Sequence, residues 1–145
     1  MPGQMGGAAF RWSVPVRFGD TDPYGVVYFV SSLRFMKEAL DEFLRARGLP
    51  PEQTYRDVQA GRGLPVTASS PRFLTPARYG DVLDVGVTVQ ACSKKSVTFG
   101  FRIGRRPEGE PVATGEITCV AIDAGWQSIA LQQEWRDRLV GVGPG

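Results

Sequence analysis

The run Ser31-Ser-Leu-Arg-Phe-Met-Lys-Glu-Ala-Leu-Asp-Glu-Phe-Leu-Arg-Ala-Arg-Gly48 decides the fold. Leu33, Met36, Leu40, Phe43 and Leu44 recur every three or four residues and are joined by Phe35 and Ala39, a wide apolar stripe on a helix. Ser31 or Ser32 can accept from the orphan N–H groups of the first turn, and Gly48 supplies the C-terminal stop. A helix from about Ser31 to about Arg47 is therefore expected, deeply buried on one side. Lys37, Asp41 and Arg45 mark the other face, spaced for modest ion pairing.

Outward from this helix the pattern changes period. On its N-terminal side Trp12, Val14, Val16 and Phe18 alternate, a strand over Arg11 to Phe18. On its C-terminal side Pro50-Pro51 introduces a short second helix, roughly Glu52 to Gln59. Strands follow: Pro65 to Leu74; a run in which Val85, Val87 and Val89 alternate with polar residues; a third carrying Val97, Phe99, Phe101 and Ile103; and Val112 to Ile122. Ala77 to Asp81, Ser93 to Ser96 and Arg105 to Pro111 read as turns, and Gln133 to Leu139 as a short helix. One strand, a long helix and then antiparallel strands give an α+β, two-layer architecture. The sheet's outer face and edges invite a second copy, so a homo-oligomer is expected.

The chain has 145 residues, 42% hydrophobic and 22% charged, the range of one globular domain. That domain is expected over residues 11–140, with flexible termini at 1–10 and 141–145. No stretch approaches a membrane span, and the N-terminus lacks the basic start and apolar run of a signal peptide, so no membrane and a cytoplasmic location are expected. A net charge of +2, with basic residues no denser than doublets, gives no reason to expect nucleic acid. Arg105-Arg106 reads as plain surface. Cys92 and Cys119 are the only cysteines and read as reduced core residues.

Histidine is absent. Without imidazole there is no Ser-His-Asp or Cys-His catalysis, no His-ligated zinc, and two cysteines cannot complete a structural zinc site. No metal and no cofactor are expected, and acid–base work falls to carboxylates, Tyr, Lys or the backbone. The densest candidate is Phe18-Gly-Asp-Thr-Asp-Pro-Tyr-Gly-Val-Val-Tyr-Phe29. Asp20 and Asp22 stand at a strand end, and the apolar run Val26 to Val30 leads into the helix. Such a loop is either a polar turn with Asx bonds or a carboxylate held beside an apolar pocket.

The segment Gly19-Asp-Thr-Asp-Pro-Tyr-Gly-Val-Val-Tyr28 precedes a helix ending in Arg47-Gly-Leu-Pro50. With Thr75-Pro-Ala-Arg-Tyr-Gly-Asp-Val-Leu83 and Ser93-Lys-Lys-Ser96, it resembles the 4-hydroxybenzoyl-CoA thioesterase family of hotdog-fold proteins. The likeness runs from about Val14 to about Leu139. It implies a sheet wrapped around the long helix, dimers or dimers of dimers (a homotetramer), and active sites at subunit interfaces. It places the catalytic carboxylate on Asp22, within a motif that includes Gly25, and the carbonyl-polarising backbone N–H on Phe29. Tyr28 and Lys37 fall on the substrate side, and Lys94 and Lys95 on the phosphates of CoA. Related thioesterases of another branch carry histidine where Phe29 stands, which points to the aryl-CoA branch. Lys37 replaces the acid that meets a 4-hydroxyl in the family, so a different aromatic or short acyl group is expected.

The resemblance implies hydrolysis of acyl-CoA thioesters, with Asp22 as nucleophile or as general base on water. The alternative is a non-catalytic acyl-CoA-binding module with the same pocket. A dehydratase would need the missing histidine.

Overall fold

The computed structural model describes residues 10–140. The flexible termini expected at 1–10 and 141–145 thus lie, but for Phe10, outside the described residues. In order, the elements are β1 (Phe10–Pro15), α1 (Phe29–Ala46), α2 (Pro51–Thr54), β2 (Arg56–Asp57), β3 (Arg62–Gly63), β4 (Val66–Phe73), β5 (Val82–Cys92), β6 (Ser96–Arg105), β7 (Glu110–Val120), β8 (Ile122–Asp123) and α3 (Gln133–Val140). A five-stranded sheet has the order β1-β5-β6-β7-β4, and β2-β3-β8 form a small second sheet. β1 pairs antiparallel with β5, in a register that sets Trp12 opposite Val85 and Val14 opposite Leu83.

Two compact units can be distinguished. The first comprises the described residues up to Leu40 with Ser70–Thr88 and Gly100–Glu116. Its core holds Phe35, Met36, Ala39 and Leu40 of α1 with Leu83, Val85, Val87, Phe101 and Ile103 of the strands, all at most 2% exposed. Helix and sheet approach closely here: a Cβ on Gly115 of β7 would stand 2.9 Å from Met36 Sδ. Glycine at that point is what lets the helix sit so near the strand.

The second unit comprises Asp41–Ser69, Val89–Phe99 and the described residues from Ile117. Phe43 of α1 packs edge-on against Phe99 of β6, with ring centroids 6.1 Å apart. Leu64, Cys119, Leu131, Trp135 and Leu139 complete that core. Tyr55 donates its hydroxyl to Asp41 at 2.8 Å. Burial, then Asp41, push this phenol far above its ordinary range.

Several expectations need correction. The first strand ends at Pro15, and Phe18 opens a 3₁₀ turn over Phe18–Asp20 with its ring 76% exposed. Proline at 15 has no N–H to carry the ladder further. The second helix is only Pro51–Thr54. The chain then enters β2 and β3, whose two-residue strands are too short to show a period. Neither cysteine is in a disulfide; Cys119 is buried as expected, whereas Cys92 is only half-buried. Trp135 is core; Trp126 is a surface residue, 72% exposed. Arg105 is no plain surface residue: its guanidinium bonds Asp81 at 2.9 Å, Glu110 at 3.1 Å and the Pro76 carbonyl at 2.9 Å. Among the described residues no helix is long and apolar enough to cross a membrane. Nor does any cluster of three or more His, Cys, Asp or Glu side chains there suit a metal ion.

Candidate active site

The acidic loop folds back as a tight hairpin. Asp22 C=O accepts from Gly25 N–H at 2.8 Å and Asp22 N–H donates to Val26 C=O at 2.9 Å. Pro23 fits the second turn position because its φ is pre-set. Gly25, with φ +79, supplies the left-handed residue that closes such a turn. The returning arm is then fixed: Val27 N–H reaches Ala77 C=O at 2.7 Å, and Tyr28 N–H reaches Asp20 C=O at 2.9 Å. The sequence Asp-Pro-Tyr-Gly is thus first a turn, and the turn sets where Val26 to Phe29 run.

The two carboxylates of the loop have different employment. Asp20 is buried, accepts from Arg17 N–H at 2.8 Å and is ion-paired with Arg34 of α1. Asp22 is half-buried. One of its oxygens, Oδ1, accepts from Tyr24 N–H at 2.9 Å; Oδ2 has no protein partner among the described residues. The Asx bond expected of a polar turn is therefore present, and it still leaves one oxygen uncommitted.

α1 begins at Phe29, about two residues ahead of the expected start. Ser31 N–H donates to Tyr28 C=O at 2.8 Å, with Ser32 N–H at 3.4 Å from the same oxygen. The N–H groups of Phe29 and Val30 meet no acceptor among the described residues. They are the orphan donors of a helix N-terminus, where the helix dipole is also positive.

Beside that terminus lies a pocket of about 270 Å³, walled by Val26, Val27, Phe29 and Ser32 on one side and by Phe73, Leu74, Pro76 and Val112 on the other. Phe29 and Phe73 meet edge to face at 6.3 Å, and Tyr28 leans on Phe29 at 4.8 Å. Ser32 is 4% exposed and, with Thr75, brings a hydroxyl to a mostly apolar wall.

Of the residues singled out from sequence, Phe29 lines this pocket, Asp22 and Gly25 form the turn that leads to it, and Tyr28 joins them. Lys37 stands eight residues further along α1 and is not among the pocket's walls. Lys94 and Lys95 belong to the other unit, exposed on the β5–β6 connection, where Lys95 Nζ bonds Ser128 Oγ at 3.2 Å. The Asp20–Arg34 pair, Ser32 and the Phe73–Leu74 wall carried no signal that reading residues in order could find, because each depends on tertiary placement.

A long helix packed on an antiparallel sheet is the hotdog arrangement. The chain belongs to the thioesterase-like superfamily, whose family model matches residues 16–139. Among its relatives is the 1,4-dihydroxy-2-naphthoyl-CoA hydrolase of Synechococcus sp. (strain RCC307), 34% identical over 102 residues, 69% of this chain and 76% of that protein. The 4-hydroxybenzoyl-CoA thioesterase of Pseudomonas sp. (strain CBS-3) is 29% identical over 100 residues, 67% of this chain and 69% of that one. Among solved structures, a 1,4-dihydroxy-2-naphthoyl-CoA thioesterase from Synechocystis superposes with a TM-score of 0.86 at 25% identity, covering 94% of this chain and 98% of its own. The family and fold expected from the acidic loop and long helix are thereby borne out.

Proposed function

We propose that the chain hydrolyses CoA thioesters of small aromatic acids, with Asp22 as the chemical group and the Phe29 N–H as the donor to the carbonyl oxygen. The single observation that carries this reading is the pair of orphan N–H groups at the start of α1, opening beside an apolar pocket and preceded by a carboxylate with a free oxygen. Developing negative charge on the thioester oxygen is favoured there by donors that are fixed before reaction begins.

Two chemical routes use the same groups. In one, an Asp22 oxygen attacks the thioester carbon, the C–S bond breaks, CoA leaves as thiolate, and water then hydrolyses the mixed anhydride. In the other, Asp22 takes a proton from a water that attacks the same carbon, the C–S bond breaks, and the departing CoA thiolate takes up the proton. Thiolate is a good leaving group, so neither route requires the histidine this chain lacks.

Aromatic acyl groups fit the walls, since Phe29 and Phe73 already meet edge to face and aromatic rings prefer such contacts. Both curated relatives described above are named for aromatic acyl-CoA substrates, one bicyclic and one a single ring. With Lys37 in place of an acid, a bare 4-hydroxyl is not the preferred partner. Gly25 shapes the turn, Tyr28 and Lys37 flank the substrate, and Lys94 and Lys95 pair with the CoA phosphates. The working form is a cytoplasmic homo-oligomer, dimer or dimer of dimers. An open β4 edge, exposed along nearly its whole length, supports assembly.

A panel of benzoyl-, hydroxybenzoyl-, naphthoyl-, phenylacetyl- and acetyl-CoA, read by free-thiol release, tests the proposal. Turnover of an aromatic ester above acetyl-CoA is expected. Saturable binding without thiol release from any ester would favour the non-catalytic module instead.

A further inference from the structure

The pocket beside the start of α1 holds one polar side chain that the fold leaves unused. Ser32 is the fourth residue of α1, is 4% exposed and lines that pocket. It does not cap the helix, and its hydroxyl makes no hydrogen bond among the described residues. A serine inside a helix can turn its hydroxyl back to the carbonyl four residues earlier. For Ser32 that is Tyr28 C=O, which already accepts from Ser31 N–H at 2.8 Å and lies 3.4 Å from Ser32 N–H. Among the described residues Arg62 Nε is the only buried side-chain polar atom sealed from solvent without a partner. The unbonded Ser32 hydroxyl therefore keeps accessible surface, and the pocket is the cavity it lines.

No other side chain of the walls offers an uncommitted polar atom. Thr75 Oγ1 donates to Pro111 C=O at 2.6 Å and accepts from Arg105 at 3.3 Å. The remaining wall side chains are apolar. A polar part of a bound acyl group would thus find Ser32 or nothing. The helix also fixes which part it finds. Ser32 stands three residues beyond the Phe29 N–H, about 4.5 Å of axial rise. Helical side chains tilt toward the N-terminus, so its hydroxyl leans back over the first turn, close to where the carbonyl is held.

We infer that Ser32 selects the acyl group, hydrogen-bonding a hydroxyl or amino substituent at the 2- or 3-position of the aromatic ring, the half next to the carbonyl. This rests on the hydrolase reading above and adds to it the residue that chooses among aromatic esters. Serine both donates and accepts, so it suits either substituent. A methyl group at the same place would leave the buried hydroxyl unpaired. A 4-substituent, at the far end of the ring, lies out of its reach.

Binding and turnover test this separately. Phenacyl-CoA is a thioether that keeps the carbonyl beside the ring and cannot be hydrolysed there. It and its 2-, 3- and 4-hydroxy and 2- and 3-methyl forms are titrated into the full chain and into Ser32→Ala. The kcat/KM of the matching benzoyl-CoA esters is measured alongside. Alanine is the better helix former, so α1 is retained, and a thermal melt checks it. A 2- or 3-hydroxyl is expected to bind about three- to tenfold tighter than methyl at the same position, and Ser32→Ala to abolish that ratio. A ratio that survives in Ser32→Ala, a preference confined to the 4-hydroxyl, an equal loss on bare and hydroxylated rings, or no binding of any analogue would overturn the inference. Selective binding without turnover of any ester would uphold the role of Ser32 and overturn hydrolysis. Turnover with no hydroxyl-to-methyl ratio would do the reverse.

Discussion

The carboxylate of Asp20 is ion-paired with the guanidinium of Arg34, in the second turn of α1, and this pairing separates the roles of the two acids in the loop. Asp20 also accepts from Arg17 N–H, so its charge serves to anchor the loop against the helix. A hydrogen bond to a charged group is worth about 1.5–3 kcal/mol, and deleting Asp20 removes the bonds from both Arg17 and Arg34. Asp20→Ala should lower the melting temperature by several degrees. Asp22→Ala, at a half-buried turn carboxylate, should lower it far less. Thermal melts of the two variants side by side check this, and equal losses would contradict the division of labour.

Phe29 offers an unusual test, because its side chain and its N–H can be removed separately. Proline is tolerated at the first position of a helix, where the N–H has no intrahelical partner. Phe29→Pro deletes the proposed oxyanion donor, and Phe29→Ala deletes the ring but keeps the donor. A loss of about 10²–10³ in kcat is expected beyond that of the alanine variant. Steady-state kinetics of both variants, with circular dichroism to confirm the helix, measure the difference.

Gly25 is predicted to resist replacement for conformational reasons alone. A Cβ there would touch nothing within 4 Å, yet φ is +79. Gly25→Ala should therefore cost about 1–2 kcal/mol, readable as a shift in urea midpoint. In contrast, Phe99→Ala deletes a fully buried ring packed on Phe43 and should cost about 3–5 kcal/mol.

Acid sensitivity follows from the β5 end of the sheet. Arg78 N–H, and then the Arg105 guanidinium, hold Asp81 below the usual carboxylate range against the opposing effect of burial. At Asp84 burial pushes upward, but hydrogen bonds from Arg106 and Ser13 outweigh it and the pKa is again lowered. A carboxylate depressed in the folded state stabilises it fully above the unfolded value of about 3.9 and loses that stabilisation as pH falls through the lower folded value. Stability should thus decline with acid below about pH 4. Asp81→Asn should flatten that decline in urea titrations at stepped pH; an unchanged slope would count against the Arg78–Asp81–Arg105 arrangement.

What the order of residues made legible was whatever repeats over many positions. The stripe from Leu33 to Leu44 and the alternations of Val85–Val89 and Val97–Ile103 survive because each is set by a long buried face. Two-residue strands such as Arg56–Asp57 have no period to read, so the small sheet went unseen and its segment looked like more helix. Arg105 was misjudged for a related reason. Its neighbours Glu108 and Pro107 mark a turn, but its partners Asp81 and Thr75 lie some two dozen residues or more away in sequence. In the candidate site, Asp22 and the helix start were visible as a local motif. The pocket's far wall, Phe73 and Leu74, was not, because only folding brings it to face Phe29.

The most direct test is kcat on the best aromatic CoA ester for the native chain and for Asp22→Asn, which keeps size and the turn bond but removes the charge. A loss of about 10²-fold or more at unchanged melting temperature is the expected result. Turnover within a few fold of the native rate would contradict the assignment of the chemistry to Asp22.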